Sequence, residues 1–174
     1  YASVGATENT LLAAVLANGR TVIENAAREP EIVDIVNMLI KMGANISGAG
    51  TSEIIVEGVD KLNPTDHEII GDRIAAGTFL AAILSTKGSG IVNGINPEHL
   101  PMELKKLGEM GAKIDSTETS INIEYRDNLQ SIELSTLPFP GIATDLQPIF
   151  GSALLLAEGT SILTENVYDQ RFQW

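Results

Sequence analysis

A five-residue phrase, Met42-Gly43-Ala44-Asn45-Ile46, returns as Met110-Gly111-Ala112-Lys113-Ile114, 68 residues further along the chain. At the same offset Thr51-Ser52-Glu53-Ile54-Ile55-Val56-Glu57 matches Thr119-Ser120-Ile121-Asn122-Ile123-Glu124-Tyr125. A third copy begins and stops: Ala17-Asn18-Gly19 before Thr21-Val22-Ile23-Glu24-Asn25 is echoed by Ala157-Glu158-Gly159 before Ser161-Ile162-Leu163-Thr164-Glu165-Asn166. A period of about 70 residues is a supersecondary unit rather than a solenoid rung. The fold is therefore a multiple of one unit, and equivalent loops of successive units gather on one face.

Each unit reads as helix, strand, helix, strand. In the first, a Ser3 cap and Gly19 bracket an apolar stretch from Leu11 to Leu16, and Thr21 to Glu24 is β-rich. Glu29-Pro30-Glu31 opens a second helix whose apolar face, Ile32, Ile35, Val36 and Leu39, keeps the 3.6-residue spacing until Gly43. Ile54-Ile55-Val56 is the next strand. The second unit repeats this with Asp72 to Leu84, then Ile91-Val92, then Asn96-Pro97 before a helix carrying Leu100, Leu104 and Leu107. In the third, Thr144-Asp145 opens a helix that runs through Leu154-Leu155-Leu156 to Gly159, and Ser161 to Thr164 is a strand. Gln170 to Trp174 should then be entering a helix that the chain does not finish, so a piece of a longer polypeptide is expected. The class is α/β (α+β). The loop-rich stretch Asp60 to His67 places a boundary between residues 1–71 and 72–174.

The chain holds 23 acidic and 11 basic residues, a formal charge of −12, which argues against nucleic-acid and anionic-membrane surfaces. With no cysteine and two histidines, neither a thiolate nor a histidine-rich metal site is expected. No apolar run approaches the roughly 20 residues that span a bilayer, and the first residues lack a signal peptide's pattern, so a cytoplasmic location is expected. An anionic ligand would have to be held locally. Candidates are the three first-helix starts, at Ser3-Val4-Gly5, Asp72-Arg73 and Thr144-Asp145, where backbone N–H groups are unpaired and the dipole is positive. Arg28 and Arg171, each a few residues beyond an equivalent strand, are further candidates; His67 and His99 read as exposed.

Long motifs carry the reading further: Ser3-Val4-Gly5-Ala6-Thr7-Glu8-Asn9, Glu24-Asn25-Ala26-Ala27-Arg28-Glu29-Pro30-Glu31-Ile32, Asp72-Arg73-Ile74 with Gly77-Thr78-Phe79, Thr144-Asp145 with Gln147, and Glu165-Asn166-Val167 through Arg171-Phe172. Together they resemble the UDP-N-acetylglucosamine 1-carboxyvinyltransferases of the enolpyruvyltransferase family. The resemblance implies two lobes of repeated βαβαββ-type units, an inside-out α/β barrel of which this chain is an incomplete part. Residues 1–71 would be the final unit of one lobe and 72–174 one and a half units of the other. It implies transfer of the enolpyruvyl group of phosphoenolpyruvate to the 3-hydroxyl of UDP-N-acetylglucosamine in a cleft between the lobes, the first committed step of peptidoglycan synthesis. The expected partners are those two substrates and the remainder of the polypeptide, with no cofactor.

By position, Tyr1, Ala2, Ser3, Val4 and Gly5 would meet the UDP moiety, with a tyrosine where some relatives place lysine. Asp145 would be the base that accepts the hydroxyl proton, supported by Thr144. Val167 would offer a backbone contact to the sugar, Arg171 would lie in the cleft, and Asp72-Arg73 would sit near the crossing between lobes. The family's mobile loop with its reactive cysteine or aspartate, its lysine-asparagine pair and its phosphoenolpyruvate-gripping arginine have no counterparts here, so the isolated chain is expected to be inactive. The alternatives are the sister enzyme acting on shikimate 3-phosphate, against which the Ser3-to-Asn9 run argues, and a noncatalytic repeat module.

Overall fold

The computed structural model describes residues 2–174, which divide into two compact units with the boundary between Ile69 and Ile70. In the first, α1 (Val4–Ala14), β1 (Arg20–Glu24), α2 (Pro30–Lys41), β2 (Asn45–Ser47) and β3 (Glu53–Glu57) follow in order. The strands form an antiparallel sheet in the order β1-β3-β2. Ile54 and Val56 of central β3 are fully buried against Leu11 of α1 and Ile32, Val36 and Leu39 of α2. The helical face read from spacing is thus the packed face.

The second unit repeats the design with α3 (Arg73–Ser85), β4 (Ser89–Asn93), α4 (Pro101–Glu109), β5 (Ala112–Ser116) and β6 (Ser120–Tyr125), again with the last strand central. It continues with β7 (Glu133–Ser135), a short 3₁₀ turn at Thr144–Leu146, α5 (Gln147–Leu154), and β8 (Ile162–Thr164), which pairs parallel to β7. A single 3₁₀ turn, Arg171–Gln173, stands where a longer helix was expected to begin. Its core gathers Leu80 and Leu84 of α3, Leu107 of α4, Ile121 and Ile123 of β6, and Phe150 of α5.

The repeated phrase is a helix stop. Met42 and Met110 are the C-caps of α2 and α4, and the glycines after them take φ of +104° and +106°, the left-handed conformation that ends a helix without a side-chain clash. The next strands, β2 and β5, were not anticipated: three and five residues of mixed polarity carry little periodic signal. Nor was β7, another three-residue strand.

One alignment is corrected. At the 68-residue offset buried Ile54 would match exposed Asn122, whereas pairing places Glu53 opposite Glu24 and Ser120 opposite Asn93, so β3 maps onto β6 at 67. Buried Ile54 and Val56 then coincide with buried Ile121 and Ile123. Asn45 pairs with Glu57, 12 residues on, and its equivalent Lys113 with Glu124, 11 residues on, so the first connection is one residue longer, and a slip of one residue would put every side chain on the wrong face.

Candidate functional site

Each unit folds the loop after its second element back onto the start of its first helix. In the first unit Ser3 is the N-cap of α1, its Oγ accepting from the Ala6 N–H at 3.2 Å. The Ser3 carbonyl accepts from the Thr7 N–H at 2.9 Å and from Thr7 Oγ1 at 2.8 Å. Buried Thr7 in turn accepts from the N–H of fully buried Ala27 at 3.0 Å, which ties the loop after β1 to the helix. Ala2 and Val4 pack against the core, while Gly5 is exposed and a Cβ there would meet nothing within 4 Å. The first turn of α1 therefore presents backbone N–H groups and a hydroxyl to solvent, and no formal charge. The contact expected of Tyr1 lies outside the described residues.

The corresponding junction in the second unit joins Gly71 to Gly94. A Cβ on Gly71 would stand 2.0 Å from the Gly94 carbonyl oxygen, so only glycine admits this approach. Asp72 caps α3, accepting from the Ile74 and Ala75 N–H groups at 2.8 and 3.1 Å.

At the third junction the chemistry changes. Glu165, just past β8, is a hub: Oε1 accepts from Thr136 Oγ1 at 2.7 Å and from the N–H groups of Val167 and Tyr168 at 2.7 and 2.9 Å, and Oε2 accepts from Thr144 Oγ1 at 3.0 Å. Burial pushes its carboxyl up, but these four donors outweigh that and leave it below the usual carboxylate range. Fully buried Thr136 also accepts from the Asn166 N–H at 2.9 Å.

Arg171 completes the group, its Nε donating to Thr144 Oγ1 at 3.2 Å and its guanidinium to Asp145 Oδ1 at 2.9 Å. It also lies 5.0 Å from the centroid of the Tyr168 ring. The Asp145 side chain is 60% exposed and that of Arg171 30%, so the pair is open to a ligand. Thr144, Asp145, Val167 and Arg171, four residues singled out from sequence, thus converge. Because the Val167 N–H is committed to Glu165, a ligand contact from that residue would use its carbonyl.

Asp145 does not cap a helix. Ala143 is the N-cap of the 3₁₀ turn and makes no side-chain capping bond, and the Asp145 carboxylate turns to Arg171 instead. Sequence reading missed Thr136, which lies in no motif, and named Glu165 only within a motif, with no role of its own; its counterpart Glu24 is exposed. His67 is also corrected. Its ring is 8% exposed, with Nε2 2.9 Å from Asp34 Oδ1 and Nδ1 3.4 Å from Lys41 Nζ, which fastens the loop-rich stretch to α2. An open depression of about 820 Å³ lined by Asn96, Glu98, Thr117 and Glu118 has two carboxylates in its wall and suits no anion. Among the described residues no group of His, Cys, Asp and Glu could hold a metal ion and no helix is long and apolar enough to cross a membrane.

The architecture is that of the enolpyruvyl transferases. The crystal structure of the enolpyruvyl transferase NikO from Streptomyces tendae matches 98% of this chain, with a TM-score of 0.84 at 24% sequence identity, over 41% of its own length. An EPSP synthase from Acinetobacter baumannii matches 93% of the chain with a TM-score of 0.61 at 22% identity. The family profile of EPSP synthase (3-phosphoshikimate 1-carboxyvinyltransferase) matches residues 1–174, and the chain belongs to that family. Among curated relatives, the UDP-N-acetylglucosamine 1-carboxyvinyltransferase of Corynebacterium jeikeium (strain K411) is 51% identical over the full 174 residues, and that of Mycobacterium tuberculosis (strain CDC 1551 / Oshkosh) 46%. A UDP-N-acetylglucosamine 1-carboxyvinyltransferase 2 of Staphylococcus saprophyticus is 48% identical over 172 residues. The chain spans 41–42% of the length of these relatives.

Proposed function

We propose that this chain is the portion of a UDP-N-acetylglucosamine 1-carboxyvinyltransferase that carries its general base and its UDP-binding helix start. The observation that carries the reading is the convergence of Thr144, Asp145, Val167 and Arg171 on the Glu165 hub, in a chain 45–51% identical to relatives of that name. Transfer of the enolpyruvyl group replaces the O–H bond of the sugar 3-hydroxyl by an O–C bond and releases phosphate, so the hydroxyl proton needs an acceptor. Asp145 supplies it: Arg171 holds Oδ1, and the second oxygen is the one a hydroxyl would reach. Thr144, fixed between Glu165 and Arg171, sets the direction of that carboxylate.

In the first unit, Ser3, Val4 and Gly5, with Ala2 and Tyr1 before them, meet the diphosphate through a hydroxyl and backbone N–H groups at the positive end of α1, against a net charge of −12. Residues 1–69 are the end of one lobe and 70–174 part of the other, and the rest of the polypeptide supplies the groups that grip phosphoenolpyruvate. The location is cytoplasmic, where the first step of peptidoglycan synthesis draws on both substrates.

Phosphate release by the full-length enzyme tests this. Turnover with phosphoenolpyruvate is expected when UDP-N-acetylglucosamine is the acceptor and not when shikimate 3-phosphate is, and the reverse preference would overturn the assignment. The isolated 174-residue chain is expected to release none.

A further inference from the structure

Glu103 is an anomaly that the reaction does not use. It lies on the buried face of α4, one turn before Leu107, and is 1% exposed. Burying a carboxylate is costly unless it meets partners, and a hydrophobic residue would fill the place at no such cost. Its partners are its own backbone N–H, the N–H of Ala143 and, through charge, Arg73. Oε1 lies 3.4 Å from the N–H of Ala143, the residue that starts the 3₁₀ turn carrying Thr144 and Asp145. Arg73, 8% exposed at the start of α3, acts on the same carboxyl through its charge, and its guanidinium lies 5.8 Å from the centroid of the Phe139 ring at the other end of that loop.

The loop is otherwise tight. The Leu137 N–H donates to the Ile142 carbonyl at 3.0 Å and the Gly141 N–H to the Pro138 carbonyl at 2.9 Å. A Cβ on Gly77 of α3 would stand 2.8 Å from Leu146 Cδ1, which leaves the turn little room to shift on that side.

We propose that Glu103, with Arg73 behind it, is a positioning residue for Asp145. The carboxylate holds the loop by the backbone N–H two residues before the acting carboxylate, while Glu165 holds it through Thr136 and Thr144. Fixing the backbone at that point fixes where the Asp145 oxygens stand against a hydroxyl, and a misplacement of about 1 Å can cost about a hundredfold in turnover. The inference rests on Asp145 being the acting base.

The test compares variants of the full-length transferase. Glu103→Gln keeps an acceptor for Ala143 and should retain most of kcat. Glu103→Leu removes the acceptor and should lower kcat about tenfold, with the KM for the UDP-sugar within about twofold of wild type. Since Glu103→Leu removes a charge that Arg73 acts on and can compromise folding, the pair Glu103→Leu with Arg73→Met is made beside it. The pair should hold the thermal midpoint near wild type and still show the tenfold loss in kcat. Wild-type kcat in a folded pair variant, alongside a large loss in Asp145→Asn, overturns the positioning role and spares the base. An Asp145→Asn enzyme that turns over normally overturns the base itself.

Discussion

The helix starts at Ser3 and at Thr144 occupy the same place in the repeat and have opposite chemistry. Around Ser3 every partner is a hydroxyl or a backbone group: the cap bond to Ala6, the Thr7 hydroxyl and the Ala27 N–H. Around Thr144 the same fold-back is built from a carboxylate hub and a guanidinium, with Asp145 left largely open. An uncharged helix start suits an anion such as a diphosphate, because any fixed carboxylate there would repel it. A carboxylate steadied by an arginine suits proton transfer, where one oxygen must be held and the other offered. One repeated geometry is thus lined by different side chains after β1 and after β8.

The largest expected effect separates the two junctions outright. Asp145→Asn in the full-length enzyme should lower kcat by about 10²-fold or more, the scale of a positioned general base, with UDP-sugar binding largely kept. The thermal midpoint should barely move, since the Asp145 carboxylate makes no cap and its exposed pair with Arg171 is worth at most about 1 kcal/mol. A kcat within about threefold of wild type would show that the charged junction is not the reacting one.

The next contrast is in how each junction responds to acid. Thr7→Val keeps the shape but leaves the buried Ala27 N–H without its acceptor, which should cost about 1–3 kcal/mol at every pH. Glu165→Gln should also destabilise at pH 7, but through a carboxylate. The folded value of Glu165 lies below its ordinary 4.5, so its contribution is present above that value and is lost as pH falls through the folded one. Denaturant unfolding at pH 7 and at acid pH checks both. A Glu165→Gln deficit that persists unchanged in acid would mean that the hub acts by shape and not by charge.

How far these junctions could be read from sequence follows from the same contrast. The helix stops at Gly43 and Gly111 were visible because a left-handed residue narrows the choice to glycine, and the Ser3 cap because a cap is local. The faces of α2 and α4 were visible because burial imposes a period. The hub was not. Thr136 and Glu165 meet from 29 residues apart, through a parallel pairing of three-residue strands that leaves no periodic trace. The register of β6 was misread for a related reason, since a repeat in sequence need not keep its step when one turn is a residue shorter. Glu103 looks in sequence like any acidic residue in a helical first turn, and only its burial marks it.

The smallest effect concerns the uncharged junction alone. Ser3→Ala removes the acceptor for the Ala6 N–H and should destabilise the chain by about 1 kcal/mol, while Ser3→Gly should cost only a few tenths. Both remove the hydroxyl. If the diphosphate is held by the Ser3 hydroxyl, which can donate its proton outward while its lone pair serves Ala6, the two variants should lose UDP-sugar affinity equally despite their unequal stability. Calorimetry on the full-length variants, with denaturant unfolding alongside, separates the roles. Wild-type affinity in Ser3→Gly would assign the contact to the backbone N–H groups of the first turn, where the exposed face of Gly5 leaves them open to a ligand and no side chain is required.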